Sequence, residues 1–256
     1  MIRGIRGVAI FAALAVAAAT LAACAGSTVP SGARADTNAA ATGHAPRSAI
    51  LAAFRSWKRK DYADAISIAS RAIRSGRLRK RGLSLAYFVR GLAYHSTRRH
   101  DAADADYTAA IANDPTNHLA FRSRGVVRSL QNDNRGAIED LTAAIRIRPA
   151  YASYYVRGIV LLRLRRFDAA DRDASAILDS HPEVYHGYYL RGLSRHMRGQ
   201  YRQAARDYRR VLEINPDHAG ARRALRSVGR GRPTPTVPRR RDPGVRLLPV
   251  SATVIH

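Results

Sequence analysis

Residues 84–117 read SLAYFVRGLAYHSTRRHDAADADYTAAIANDPTN, and their pattern returns three more times along the 256-residue chain. Each copy holds an arginine followed by a glycine, and then an alanine, an aspartate and a proline at matching positions. The glycines are Gly91, Gly125, Gly158 and Gly192, spaced 34, 33 and 34 residues apart. A fixed period of this length indicates a stacked array of small units rather than one globular core. We therefore expect a surface that holds partners rather than a catalytic pocket.

Each unit is predicted to form two helices. In the first unit, apolar and aromatic residues recur at helical spacing over residues 85–98 and again over residues 101–113. Pro115 ends the second helix, because proline cannot continue a helix and biases its predecessor towards extended geometry. The turn between the two helices is placed at residues 97–100.

The repeated charges are predicted to pair across each helical hairpin. Gly91 and Ala103 are nearly equidistant from the turn, so we expect them to face each other and to let the helices approach closely. By the same geometry, the arginine before each glycine faces the repeated aspartate. The four pairs are Arg90–Asp106, Arg124–Asp140, Arg157–Asp173 and Arg191–Asp207. We interpret them as structural ion pairs that fix the register of the hairpins.

The units resemble tetratricopeptide repeats. In the first unit, the characteristic positions of that family are occupied by Tyr87, Gly91, Tyr94, Ala103, Tyr107, Ala110 and Pro115. The later units match most of these positions and depart from them at Arg128, Ala174, Ile177, Arg195 and Val211. The resemblance covers residues 84–216 and implies an all-α fold, in which αα-hairpins stack into a solenoid.

The repeats divide the chain into segments. Four clear repeats are expected at residues 84–117, 118–150, 151–184 and 185–218. A degenerate repeat at residues 47–83, which lacks the glycine and the closing proline, precedes them, and a capping helix at residues 219–228 follows. Terminal repeats are often atypical because one of their faces meets water. Residues 229–256 hold five prolines and a run of arginines, which predicts a disordered tail whose apolar end is suited to docking.

The N-terminus is interpreted as a targeting segment. Residues 1–23 combine two arginines with a short apolar run, as in a secretory signal peptide. The sequence Leu-Ala-Ala-Cys at residues 21–24 resembles a bacterial lipobox, which implies cleavage before Cys24 and lipid attachment to it. The alternative is a plain secretory signal and a chance cysteine. Cys24 is the only cysteine of the chain, so no intrachain disulfide can form.

A lipid anchor at Cys24 would place the protein at a membrane. Residues 24–46 are rich in Ala, Gly, Ser and Thr and are predicted to form a flexible tether. Each buried methylene of an acyl chain contributes about 0.8 kcal/mol, and more than one chain makes the anchoring stable. We expect a location in the bacterial cell envelope, facing the periplasm. By resemblance to enteric lipoproteins, Ala25 favours the outer membrane.

The resemblance also implies a partner-binding groove along the first helices of the units. The groove positions of the family hold an aromatic and aliphatic stripe that Arg122 interrupts, and they are Phe88, Leu92, His95, Arg122, Val126, Tyr155, Ile159, Leu162, Tyr189, Leu193 and His196. The family's Lys/Asn arrangement for a terminal carboxylate is missing. An exposed apolar stripe favours an apolar or aromatic segment, or a helix, of a protein partner. The alternative is that these side chains pack as ordinary core.

The chain is strongly basic, with 44 Lys and Arg residues against 19 Asp and Glu. Loss of two arginines with the signal peptide leaves 42 − 19 = +23. The excess is spread along the chain, which fits a genomic preference for arginine. The functional alternative is binding to anionic lipid, lipopolysaccharide or cell-wall polymer. Nucleic acid is not expected, because of the export signal and because no nucleic-acid-binding motif is recognised.

The sequence shows no catalytic chemistry. None of the nine histidines belongs to an HExxH motif or to a cluster with metal-ligand spacing, and no phosphate loop or nucleophile elbow is present. We therefore expect a non-catalytic adaptor without metal or cofactor. It resembles periplasmic lipoproteins that dock cell-wall hydrolases or assist the assembly of pili and secretion pores. A homodimer is compatible with the resemblance but does not follow from the residues.

Overall fold

The computed structural model describes residues 45–229, and their regular structure is entirely helical. The helices are α1 (Ala45–Lys58), α2 (Tyr62–Arg74), α3 (Lys80–Ser96), α4 (His100–Asn113), α5 (His118–Leu130), α6 (Asn134–Ile147), α7 (Tyr151–Arg163), α8 (Phe167–Ser180), α9 (Tyr185–Met197), α10 (Tyr201–Ile214) and α11 (Ala219–Gly229). The predicted all-α class is confirmed. The predicted signal peptide, the lipidation site Cys24 and all of the tail beyond residue 229 lie outside the described residues.

Consecutive helices form hairpins that stack on one another. Within the described residues, α1–α2, α3–α4, α5–α6, α7–α8 and α9–α10 are the hairpins, and each second helix also contacts the first helix of the next hairpin. The first helices α1, α3, α5, α7 and α9 contact each other in series, so they form one continuous row. Helix α11 packs on α10 and covers the end of the stack.

Two helix starts differ from the sequence expectation. Helix α1 begins at Ala45, inside the segment predicted as a tether. Helix α3 begins at Lys80 rather than at residue 85, because the degenerate unit has no closing proline to delay it. Lys80 and Arg81, the last two residues of the basic stretch at positions 77–81, therefore lie in the first turn of α3.

The hairpin turns share a left-handed residue. It is Lys60, Arg98, Asn132, Arg165 and Gly199 in successive hairpins, with φ between 57° and 77°. The following residue donates its backbone N–H to a carbonyl in the last turn of the first helix, as Arg99 does to Tyr94 at 2.9 Å. This is the bond pattern of a helix C-terminus closed by a left-handed residue.

The repeated glycines let the helices of a hairpin approach closely, and a large side chain of the second helix packs against them. A Cβ on Gly91 would lie 2.7 Å from the ring of Tyr107, which is one helical turn beyond Ala103. Gly192 and Tyr208 repeat this contact.

In the second hairpin, a Cβ on Gly125 would lie 2.9 Å from Leu141 and 3.1 Å from the backbone oxygen of Ala137, which is the predicted alanine of that unit. The large side chain of the second helix thus covers the glycine in addition to the expected alanine, and the contact of Gly91 with Ala103 itself stays a prediction.

The hydrophobic core runs along the stack as three clusters of buried side chains, one after another. Among the described residues, the large apolar side chains that stay exposed are Ile147 and Leu164, each at about 40% of its surface. None of the helices over residues 45–229 is both long and apolar enough to span a membrane.

Candidate partner-binding surface

The side chains assigned to the groove lie on the row of first helices, but nearly all of them are buried. Leu92, Leu162, Leu193 and His196 are at most 1% exposed, and Phe88, Val126, Tyr155, Ile159 and Tyr189 are 3–6% exposed. His95 is half-buried. The expectation of an exposed apolar stripe is therefore wrong, and the apolar residues among them belong to the core clusters. Their part in binding a partner stays a prediction.

The burial of the groove aromatics has a clear packing cause. The ring of Phe88 lies 6.0 Å from that of Tyr107 on the second helix of its hairpin, and Tyr189 lies 6.2 Å from Tyr208 in the same way. Tyr155 meets the edge of His186 from the next hairpin at 4.8 Å. Neighbouring helices cover most of the surface of these rings, so little of it is accessible to a ligand.

A cluster of tyrosines and histidines lies at the N-terminal ends of α7, α9 and α11. His186 stacks on Tyr185 with ring centroids 4.0 Å apart, and Tyr151 lies 5.8 Å away. Tyr185 in turn meets His218 edge-on at 5.2 Å. Tyr151 and Tyr185 are half-buried, so part of each ring stays accessible. We call Tyr151, Tyr155, Tyr185, His186 and His218 the Tyr/His cluster.

His186 has no polar partner inside the Tyr/His cluster. It is 8% exposed, and neither of its ring nitrogens makes a hydrogen bond. Burial lowers the pKa of His186 to about 4, and the neighbouring His218 acts in the same direction. The imidazole is therefore neutral at pH 7 and presents both a donor and an acceptor without a partner. This cluster was not predicted from the sequence, although the sequence places aromatic and histidine residues at positions 151–155 and 185–186.

Arg122 stands apart from the other groove residues because it is a buried cation. It is 5% exposed, and its Nη2 atom is buried without a hydrogen-bond partner. Burial lowers the pKa of Arg122 to about 10, with an opposing effect of Tyr151 and Tyr107. The side chain is therefore still charged at pH 7.

All four predicted arginine–aspartate pairs are present. The distances from Nη2 to Oδ1 are 2.7, 2.7, 2.6 and 2.8 Å in chain order. Nε of Arg90, Arg124 and Arg157 donates to the second carboxylate oxygen at 2.8–3.0 Å, so these pairs are bidentate. Burial raises the pKa of Asp106 and Asp173 although the facing arginines oppose the shift. Such pairs fix geometry more than they add net stability.

Each of these arginines also packs on an aromatic ring. The guanidinium carbons lie 5.4–5.7 Å from the ring centroids of Tyr87, Phe121, Tyr154 and Tyr188, which precede them by three residues on the same helix. A guanidinium over an aromatic face is a favourable arrangement. The repeated Tyr/Phe and Arg positions therefore form one structural unit in each hairpin.

Family models assign this architecture directly. Tetratricopeptide repeat models match residues 50–118 and 123–182, and a further one matches residues 186–218. The chain belongs to the tetratricopeptide repeat (TPR) family. TPR hairpins generally serve as non-catalytic scaffolds for protein interactions, and TPR hairpins with one further helix make up the described residues. Within residues 45–229, no group of three or more His, Cys, Asp and Glu residues could hold a metal ion.

Curated relatives of this TPR chain share only part of their length with it. The small glutamine-rich tetratricopeptide repeat-containing protein 2 of Saccharomyces cerevisiae is 27% identical over 127 residues, which cover 48% of this chain and 37% of that protein. A FAM10 family protein of Arabidopsis thaliana is 40% identical over 82 residues, covering 32% and 19% of the two chains. Serine/threonine-protein phosphatase 5 of Rattus norvegicus is 32% identical over 91 residues, covering 35% and 18%. The TPR chain thus spans well under half of each.

Solved structures share the fold at low sequence identity. YrrB, described as a TPR protein with an unusual peptide-binding site, has a TM-score of 0.58 at 18% identity, covering 70% of this chain and 90% of that chain. MamA has a TM-score of 0.58 at 18% identity, covering 70% and 96%. A TPR protein of Parabacteroides merdae reaches 0.64 at 16% identity, covering 73% of both chains.

Proposed function

We propose that this TPR chain is a non-catalytic adaptor of the bacterial cell envelope that captures a segment of a protein partner along its row of first helices. The observation that carries the proposal is the uninterrupted stack of five hairpins, which builds an extended surface within residues 45–229. A repeat array has no central cavity for chemistry, whereas its long face can contact many residues of a bound segment.

The Tyr/His cluster and Arg122 are the part of that face that we assign to the partner. Tyr151 interacts electrostatically with Arg122 and also contacts His186, so it connects the two features. Half-buried tyrosines with accessible rings are favourable anchors, because they bring a large contact area at a small loss of conformational entropy. The surface thus combines aromatic rings, neutral imidazoles and one cation.

The envelope location and the tether rest on the sequence. Residues 21–24 resemble a lipobox, and acyl chains on Cys24 would confine the adaptor to a membrane plane. Confinement raises the local concentration of the captured partner, so a moderate affinity suffices. The resemblance to periplasmic TPR lipoproteins supports a partner among cell-wall hydrolases or components of pili and secretion pores.

The test is an affinity capture from envelope extract on the immobilised full chain. Tyr155 and Tyr189 are poor choices for substitution, because both are nearly fully buried and their loss would disturb packing. The double variant Tyr151→Ala with Tyr185→Ala should lose the captured proteins while its helical circular dichroism persists. Tyr62→Ala, also half-buried but on α2, is the matched control and should retain them. Capture that survives the double substitution would refute the assignment of this surface.

A basic segment supports a second candidate function. Positions 71–81 hold six Lys and Arg residues, all exposed, and the sequence has no Asp or Glu between Asp64 and Asp101. Such a segment would attract anionic lipid headgroups or envelope polymer. Salt separates the two candidates: binding to a polymer should collapse between about 0.05 M and 0.3 M salt, whereas capture on the Tyr/His cluster should persist.

A further inference from the structure

Helix α10 carries a row of arginines on its outer face. Arg202, Arg206 and Arg209 are exposed and lie at i, i+4 and i+7, on the side of the helix opposite the buried residues Ala204 and Val211. Within residues 45–229, none of these three side chains forms an ion pair or a hydrogen bond. We call them the arginine row, and it presents three uncompensated charges to the solvent.

The acids of α10 do not neutralise the arginine row. Asp207 is buried and forms ion pairs with Arg191 and Arg195, each at 2.8 Å. Glu213 pairs with Arg210, also at 2.8 Å. Outside residues 45–229, the sequence contains two aspartates against nine arginines. The counter-charge for the row is therefore to be sought in another molecule.

The earlier hairpins avoid such a row at the same positions. Arg202 and Arg206 stand five residues and one residue before the repeated aspartate of their hairpin. On α6 these two positions hold Arg135 and Glu139, which form an ion pair at 3.1 Å. Opposite charges one turn apart stabilise a helix, whereas like charges destabilise it. The stability of the fold therefore does not explain the arginine row.

The positive charge extends onto α11, which packs on α10. Its exposed residues include Arg222, Arg223 and Arg226. Over residues 201–229, the exposed charged side chains are seven arginines against Glu213 and Asp217. The end of the stack is therefore a basic face that two packed helices build together.

The composition of α10 indicates the kind of partner that this face fits. All exposed residues of the helix are polar, and they are Arg202, Gln203, Arg206, Arg209, Arg210 and Glu213. The core of a protein interface depends on aromatic and apolar anchors, and α10 exposes none. The planar guanidinium matches phosphate oxygens, and a bilayer of anionic phospholipids presents many phosphates on one surface. These features favour a lipid surface over a protein segment.

We propose that the arginine row, together with the exposed arginines of α11, docks the last hairpin on a bilayer surface of anionic phospholipids. The guanidinium groups bind headgroup phosphates, and no apolar side chain of α10 is inserted. This face is separate from the basic segment at positions 71–81, which joins the first hairpin to the second. The proposal rests on the envelope location in the proposed function, because that location brings a bilayer within reach of the chain.

The test measures co-sedimentation of the full chain with vesicles. Every protein carries Cys24→Ser, so that acyl chains do not contribute to binding. Vesicles of phosphatidylcholine alone are compared with vesicles of an equal mixture of phosphatidylcholine and phosphatidylglycerol. The chain with an intact arginine row should prefer the anionic vesicles at least about tenfold at low salt, and the preference should shrink as salt is added.

The triple variant Arg202→Gln, Arg206→Gln and Arg209→Gln should lower this preference at least about tenfold, because each arginine close to an anionic surface strengthens binding about fivefold. Glutamine keeps a high helix propensity and removes the like-charge repulsion. The variant should therefore unfold at the same temperature as the parent chain or at a higher one. A clearly lower unfolding temperature would show that the row serves the fold and would overturn the proposal.

The matched control removes three charges from exposed positions in the middle of the stack: Arg146→Gln, Arg166→Gln and Arg172→Gln. It should change the preference less than about threefold, since these residues lie outside the basic face. Equal losses in the two triple variants would mean that the vesicles respond to net charge alone, which overturns the docking face. The same holds if the parent chain shows no preference for the anionic vesicles.

Two further arms separate this proposal from its alternatives. Binding to duplex DNA that exceeds binding to the anionic vesicles, and that is lost in the arginine-row variant, would assign the row to nucleic acid and overturn the lipid surface. Capture of envelope proteins should persist in the arginine-row variant, because the Tyr/His cluster is unchanged. Failure of the lipid surface therefore leaves the proposed adaptor function standing, and that function is tested separately by the Tyr151 and Tyr185 substitutions.

Discussion

Arg157 on α7 donates from Nη1 to the hydroxyl oxygen of Thr142 on α6 at 2.9 Å, while its Nε and Nη2 atoms hold Asp173 on α8. One side chain thus joins the second helix of one hairpin to both helices of the next. Arg90 and Arg124 make the equivalent bonds to Ser70 and Thr108 at 3.1 and 3.0 Å. The repeated arginine therefore fixes the register between hairpins as well as within them.

Thr142→Val should lower the free energy of unfolding by about 1 kcal/mol, because it removes one hydrogen bond and keeps the shape of the side chain. The measurement is urea unfolding followed by circular dichroism. Thr108→Val is the matched control, because its bond to Arg124 lies at an exposed position and should matter less. If the Thr108 variant loses as much stability as the Thr142 variant, then burial does not decide the strength of these bonds.

Asp140→Ala should destabilise the protein more than Asp133→Ala. Asp140 is 3% exposed and forms ion pairs with both Arg124 and Arg128. Its loss leaves these arginines without their counter-charge, which should lower the free energy of unfolding by roughly 3–5 kcal/mol. Asp133 is exposed and caps α6 by accepting a bond from the N–H of Gly136. Loss of such a cap is worth about 1 kcal/mol. Equal melting temperatures of the two variants would contradict the structural role that we assign to the ion pairs.

Arg98→Gly should raise the free energy of unfolding by roughly 1 kcal/mol. The backbone of Arg98 has φ of 63°, where a side chain is strained and glycine is not. Arg99→Gly is the control: its φ is −82°, so glycine brings no relief there and adds flexibility to the unfolded chain. Thermal unfolding of both variants checks the prediction, and stabilisation by the second substitution would contradict it.

The ion pairs could be predicted from the sequence because they depend on one hairpin alone. Arg90 and Asp106 lie at nearly equal distances from a short turn, and two antiparallel helices must then bring them together. The bond from Arg157 to Thr142 could not be predicted in this way. That bond depends on the register between two successive hairpins, and the spacing of residues within a single repeat does not determine this register.

The accessibility of the groove was harder to predict for a related reason. Helical periodicity tells which face Phe88 and Tyr189 share, but not how far Tyr107 and Tyr208 reach back over that face. Arg122 was recognised as an interruption of the apolar stripe. Its lack of a counter-charge became visible only when α4 and α7 were known to place hydroxyls, and no carboxylate, beside it.

Cys24→Ser should release the protein from membranes. The residue lies outside the described part of the chain, and its lipidation is inferred from the lipobox resemblance alone. Without acyl chains the remaining attraction to a membrane is electrostatic, so the variant should move to the aqueous phase of a detergent partition at high salt. Metabolic labelling with a fatty-acid analogue should mark wild type and not the variant. Labelling of the variant would show that Cys24 is not the anchor.

Acid should destabilise the fold through its buried histidines. Burial lowers the pKa of His95, His118 and His186 to about 4, from an ordinary value near 6.5. Between these two values the unfolded chain binds more protons than the folded one, so stability is fully present above pH 6.5 and falls as the pH is lowered towards 4. For each histidine, one unit of difference between the folded and unfolded pKa corresponds to about 1.4 kcal/mol of unfolding free energy. This figure is an upper bound where water reaches the ring.

His186→Phe separates this effect from general acid denaturation. Phenylalanine keeps the ring packing against Tyr185 and Tyr155 and cannot take up a proton. The variant should lose less free energy of unfolding than wild type between pH 7 and pH 5, each compared with its own value at pH 7. If the two proteins lose the same free energy of unfolding between pH 7 and pH 5, then His186 is hydrated or rearranges on protonation. The assignment of a buried, neutral imidazole to the Tyr/His cluster would then be wrong.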